Sequence, residues 1–207
     1  MAYSSFTNLK KVIDKFGIHV EKSIFIPEKE LVLLQPSSWL ITTLQKGNMM
    51  GFRSEKERSE RLVHPILAEL ATLDTNQITI YSGHELNVDI KQGLNGECDY
   101  LLALGKKVID FVATPLFSVV EAKKQDIEYG TAQCAAQIIG AIKYNELDNI
   151  RLPYLYGATT DGQKWRFLKF ENNTLYINDD YYFLSNLPLL LSALQFVIDD
   201  CKKMTIK

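Results

Sequence analysis

The sequence predicts an α/β domain in which a mixed central β-sheet is flanked by helices. Three observations carry this expectation. A nearly unbroken apolar run over residues 116–122 suits a central strand covered on both faces. Asp161-Gly162 and Asn172-Asn173 are turn pairs that set up a meander of strands further on. Helical periodicity surrounds these strands, over residues 55–72, 127–145 and 187–201. With 207 residues, 46% of them hydrophobic and 23% charged, the chain can bury a sizeable core and has none of the bias of a disordered sequence.

Residues 1–50 read as an N-terminal extension of open role, and residues 51–207 as the domain proper. In the extension, Phe6, Leu9, Val12, Ile13 and Phe16 predict a short helix over 5–16; residues 24–26, 31–34 and 39–44 give no clear period. Ser54-Glu55-Lys56-Glu57 has the spacing of a capping box, in which hydroxyl and carboxylate each satisfy a free backbone N–H. Val63, Ile66, Leu67 and Leu70 continue that helix, and Pro65 predicts a kink because its ring meets the carbonyl of Arg61.

Strand-like alternation begins at residues 77–82 and extends through 86–88. Asn95-Gly96 turns the chain into a strand over 98–104, and Gly105-Lys106-Lys107 turns it into another over 108–112. After Thr114-Pro115 come the apolar strand at 116–122 and the helix at 127–145. Strands over 154–160, 164–170 and 174–177 follow, and Pro188 sits in the first turn of the closing helix, where proline is tolerated.

Composition narrows the function classes. Twenty-three basic against 25 acidic side chains leave a formal charge of −2, which argues against coating nucleic acid by bulk charge and points to a local site. Cys98, Cys134 and Cys201 lie too far apart for a disulfide scaffold or a CxxC zinc site. The longest apolar stretches are too short to span a bilayer and a polar segment follows Met1, so the expectation is a cytoplasmic protein without membrane association. No GxxxxGK[ST] loop, GxSxG elbow or HExxH helix is present, and His19, His64 and His84 are scattered.

The sharpest feature is Val119-Val120-Glu121-Ala122-Lys123-Lys124. Side chains alternate along a strand, so Glu121 and Lys123 leave the end of a buried strand on one face. Read alone, the pair is a structural ion pair at a strand end, since Glu-X-Lys is common by accident. Upstream, Asp99 projects from a mostly apolar strand on the face of Leu101 and Ala103. If the two strands pair, Asp99 and Glu121 converge, and two hard oxygen ligands suit Mg²⁺ or Mn²⁺. Asp99 also fits a turn-capping role beside Gly96. Glu60, three and seven residues before Val63 and Leu67, borders the buried stripe of its helix, although it also fits the crowded charged run 55–61. Gln133, Gln137, Gly140 and Tyr144 share one face of the helix at 127–145, either beside the acids or in solvent. Lys46, Arg53, Lys56, Arg58 and Arg61 are the basic residues placed to meet an anionic backbone, and they also suit a plain solvated face.

Asp99, then Glu121-Ala122-Lys123 on the following buried strand, then a helix with Gln133 and Gln137, resembles the PD-(D/E)XK nuclease superfamily. The order of elements from about residue 57 to 170 is similar to that family's. The restriction-endonuclease branch resembles it most, especially the nuclease region of type I restriction R subunits and stand-alone relatives. The shared phrases are Cys98-Asp99-Tyr100-Leu101-Leu102, Val119 through Lys124, and Gly157-Ala158-Thr159-Thr160-Asp161-Gly162 ahead of Trp165. Cys98 stands where the family's name has proline.

The resemblance implies a restriction-endonuclease-like core and a metal-dependent hydrolase acting on phosphodiesters. The implied activity is that of a DNA endonuclease in restriction or defence, with RNA as the second candidate substrate. It implies Asp99 and Glu121 as ligands of Mg²⁺ (or Mn²⁺), with Ala122 and Glu60 completing the metal set. Lys123 would activate water and steady charge on phosphorus, and Gln137 would hold a phosphate or fix Glu121. A homodimer, and a separate motor or recognition subunit, are partners compatible with that activity. The alternative is a nuclease-fold module that binds nucleic acid or assembles without turnover.

Overall fold

The computed structural model describes residues 2–73, 75–105, 111–123 and 127–204. It is an α/β domain built on one mixed eight-stranded sheet. Helix α1 (Leu9–Phe16) starts four residues later than its apolar spacing suggests. The Asn8 side chain accepts the Lys11 N–H to open it, and Gly17 closes it at φ 64, a conformation only glycine adopts freely. Strand β1 (His19–Ser23) and helix α2 (Ser38–Met50, capped by Ser37) follow.

The long helix expected near 55–72 is three pieces. Helix α3 (Glu55–Arg58) carries the complete capping box of Ser54 and Glu57. A π-helical turn spans Ser59–Val63, and α4 (His64–Thr72) has Pro65 in its first turn. A π turn absorbs the extra residue and lets the chain restart helically at the proline, so the conflict foreseen with Arg61 is resolved without a break.

The remaining elements are β2 (Ile78–Glu85), β3 (Glu97–Leu104), β4 (Leu116–Ala122), α5 (Ile127–Leu147), β5 (Tyr154–Thr160), β6 (Lys164–Glu171), β7 (Thr174–Asn178), β8 (Tyr182–Phe183) and α6 (Leu187–Met204). Most of the expected strand at 108–112, its leading turn at Lys106-Lys107, and Lys124 lie outside the described residues. Strand order is β1-β7-β6-β5-β4-β3-β2, with β8 on β6; β4–β5 and β1–β7 are parallel and the other pairs antiparallel.

Each face of the sheet buries its own core. One holds α2, α4 and α6, with Leu62, Leu67, Phe117, Trp165 and Phe167. The other holds α1 and α5, with Val12, Leu101, Val119, Ala135 and Ile138. Residues 2–50 enter both cores, through Tyr3, Phe6 and Val12 on one face and Leu40 and Leu44 on the other.

Helix α5 crosses between the parallel strands β4 and β5 and lies unusually close to them. A Cβ on Gly157 of β5 would sit 2.6 Å from Ile138 Cδ1 and 2.7 Å from Cys134 Sγ. Gly157→Ala therefore overpacks this layer and destabilises the fold by about 1–3 kcal/mol, measured as a lower urea midpoint. That close seating carries the polar groups of α5 down onto the end of β4. No helix among the described residues is long and apolar enough to cross a membrane.

Candidate active site

All seven residues of β4 are buried, so the strand ends under cover with Glu121 only 4% exposed. Strand register brings a row of polar side chains across the sheet at this end. Tyr100 pairs with Val120, which sets Asp99 opposite Glu121 in the antiparallel ladder. Glu121 pairs with Thr159, and Thr159 with Arg166. Residues opposite one another on neighbouring strands share a face, so four chemistry-bearing side chains from four strands stand in line beneath the start of α5.

The contacts are short and direct. Lys123 Nζ lies 2.7 Å from Glu121 Oε1, and Gln137 Nε2 donates to Glu121 Oε2 at 2.7 Å from α5. Asp99 Oδ2 accepts the backbone N–H of Ala122 at 2.7 Å, locking the carboxylate of β3 onto the main chain of β4. Gly130 leaves room for this arrangement: a Cβ there would meet Lys123 Cγ at 2.8 Å. Gln133 is buried on the same helix with its side-chain oxygen unpartnered, and so is the Gln137 oxygen. The two glutamines face the sheet rather than solvent.

Glu60, expected at the margin of the buried stripe, has a 60% exposed side chain and pairs with Lys56 at 3.9 Å. The π turn changes the angular spacing between Glu60 and the residues after it, which an ideal 3.6-residue period does not anticipate. The acid that α3 delivers is Glu55, whose Oε1 lies 3.4 Å from Lys123 Nζ. Glu55 is the first residue of α3, and the capping box is the sequence signal that fixes its placement. A cleft of about 650 Å³ opens beside these groups, lined by Glu55, Ser59, Glu60, Glu97, Asp99 and Tyr100. The Ser59 hydroxyl and Tyr100 hydroxyl are 2.6 Å apart and pin the π turn to β3.

Electrostatics at the site are dominated by too much negative charge in too little water. Burial, and then the neighbouring Glu121 charge, push the Asp99 carboxyl up to about 7, against the pull of the Ala122 N–H and Lys123. Burial also raises Glu121, despite the Lys123 ammonium and the Gln137 amide. Burial alone would lower Lys123; the Glu121, Glu55 and Asp99 charges more than offset it and hold the ammonium protonated.

Three carboxylates thus share one ammonium. Hard oxygen donors carrying surplus negative charge suit a divalent cation of the Mg²⁺ type, which commonly binds through one or two carboxylates and keeps several waters. Among the described residues no group of three or more His, Cys, Asp or Glu side chains is placed to hold a metal ion. No protein-family model matches the chain, and no curated protein matches it.

Proposed function

We propose that the protein is a metal-dependent nuclease of the PD-(D/E)XK kind, with a restriction-endonuclease-like core, hydrolysing phosphodiester bonds in DNA. The observation that supports this best is the meeting of Asp99, Glu121 and Lys123, from two strands far apart in sequence, beside an open cleft. A phosphodiester is anionic and resists attack by hydroxide, so its hydrolysis needs positive charge on the phosphoryl oxygens and a source of nucleophile.

Asp99 and Glu121 would hold Mg²⁺ or Mn²⁺, which supplies charge stabilisation at phosphorus and a more acidic water. Lys123 orients the attacking water and offsets charge as it develops on the phosphoryl oxygens. Gln137 fixes the rotamer of Glu121 through Oε2, and Ala122 does the same for Asp99 through its N–H. Glu55, on the far side of Lys123, keeps the ammonium at the rim of the cleft.

Purified protein is expected to cut plasmid, linear or single-stranded DNA with Mg²⁺ or Mn²⁺ and to be silent with EDTA; no cutting of any of these would overturn the reading. Calorimetry is expected to detect a divalent ion in the wild type and none in Asp99→Ala. One observation favours the alternative, a nuclease-fold binding module without turnover: Lys123 already occupies Glu121 Oε1 at 2.7 Å. In that case calorimetry registers no ion, while DNA still binds.

A further inference from the structure

The row of side chains that begins at Asp99 does not end at Glu121. On the far side of the site, Arg166 of β6 stands two strands from Glu121 on the same face, with a side chain only 5% exposed and its Nε unpartnered. A second row lies one step further out. The Lys123 N–H bonds the Thr160 carbonyl, and the Asp161 N–H bonds the Lys164 carbonyl, so Lys123, Asp161 and Lys164 lie side by side across β4, β5 and β6. Two inter-strand steps of ~4.8 Å set Lys164 roughly 10 Å from Lys123.

Tyr181 organises the two β6 cations, with Lys164 Nζ 3.5 Å and Arg166 Cζ 5.0 Å from its ring centroid. From the other layer Arg58 donates to the Asp161 carbonyl at 3.2 Å, and its Nε is also buried without a partner. Four cations, one from α3, one from just after β4 and two from β6, therefore gather around the tip of the β5–β6 hairpin. The acids among them are already engaged: Asp161 Oδ1 accepts the N–H groups of Gln163 and Lys164 within its own turn, and Glu128 accepts from Arg166 at 2.7 Å. Glu128 is 71% exposed while Arg166 is buried, so the carboxylate can move into solvent and leave the guanidinium to another anion. The site is thus polarised, acidic on the β2–β3 side and basic on the β5–β6 side.

We propose that the tip of the β5–β6 hairpin docks the sugar–phosphate backbone of the nucleic-acid strand flanking the scissile phosphate, through Lys164 and Arg166 held by Tyr181. The proposal rests on the nuclease reading and adds the direction in which the strand leaves the site: over β6, away from the acidic cleft. Phosphate contacts carry affinity without sequence information, and each one lost reduces the salt dependence of binding by about one counterion. Tyr181 is a positioning residue, because its ring holds the cations and does not itself meet the phosphates.

The test is fluorescence anisotropy of full-length protein with labelled DNA and RNA oligonucleotides of one sequence, at several KCl concentrations and without divalent ions, so that nothing is cut. Lys164→Glu is expected to weaken binding roughly tenfold near ~100 mM salt and to lower the log–log salt slope by about one. Tyr181→Ala is expected to weaken binding in the same direction, and Tyr181→Phe to restore it, because the ring is retained. The nucleic acid showing the larger loss identifies the natural backbone. Wild-type affinity and slope in both Lys164→Glu and Tyr181→Ala would overturn the docking surface while leaving the nuclease reading intact if the wild type still cuts. Failure of the wild type to bind either oligonucleotide would overturn the docking surface, and the nuclease reading falls as well when the wild type also fails to cut with Mg²⁺ or Mn²⁺.

Discussion

Glu121→Gln is expected to lower metal-dependent cleavage by at least about a thousandfold while leaving the fold in place. The substitution removes one negative charge and almost no volume. Gln137 Nε2 still finds a carbonyl oxygen where Oε2 stood, and Lys123 keeps Glu55 at 3.4 Å. What disappears is the anionic oxygen that would draw a cation to the end of β4. Lys123→Met is expected to be comparably inactive, but it leaves three carboxylates without an ammonium and so also loses stability. Supercoiled-plasmid nicking against time, with unfolding curves recorded in parallel, separates the two effects. Cleavage by Glu121→Gln within tenfold of the wild-type rate would remove Glu121 from the chemistry.

Asp99→Asn is expected to do the opposite to stability. In the native protein Asp99 titrates near 7, against an ordinary carboxylate value near ~3.9 in the unfolded chain. Below the unfolded value both states hold the proton and the group has no effect. Between the two values the unfolded chain has released its proton and the native state has not, so stability falls as pH rises through about 7. At pH 8 the whole penalty is present, of order 2 kcal/mol after allowance for solvent relaxation. The asparagine variant should therefore melt higher than the wild type at pH 8 without metal, and match it at pH 4. Mg²⁺ should close the gap by stabilising only the wild type. Equal melting temperatures at pH 8 would show that Asp99 carries no buried charge.

How much of this was legible beforehand depended on how local the cause was. The apolar run of β4 followed by Glu121 and Lys123 announces a buried strand ending in charged side chains, because alternation within seven residues needs no partner to be read. Gln137 was legible for the same reason, by helical period from a clear helix start. Glu55 was not, because Glu55, Glu57 and Glu60 look alike until a π turn at Ser59–Val63 rotates one of them out to solvent. Pro65 marked the disturbance without giving its form. Strand β1, with the sequence His-Val-Glu-Lys-Ser, has no apolar alternation, and its partner is β7, whose first paired residue is Thr174. The polar row through Thr159 and Arg166 needed the register of three strand pairs, which no single segment contains.

The pairing of His19 with Thr174 has a consequence for how the chain matures. Synthesis runs from the N-terminus, so residues 19–23 leave the ribosome long before the strand they join exists. Until then their backbone has no strand partner, and the β1–β7 pair cannot form before β7 is made. Contacts so distant in sequence slow folding and lengthen the interval in which a strand edge stands open to a neighbouring chain. Clipping the chain before residue 24 would make that interval permanent, leaving β7 as a free edge and stripping Tyr3, Phe6 and Val12 from the core beneath α5.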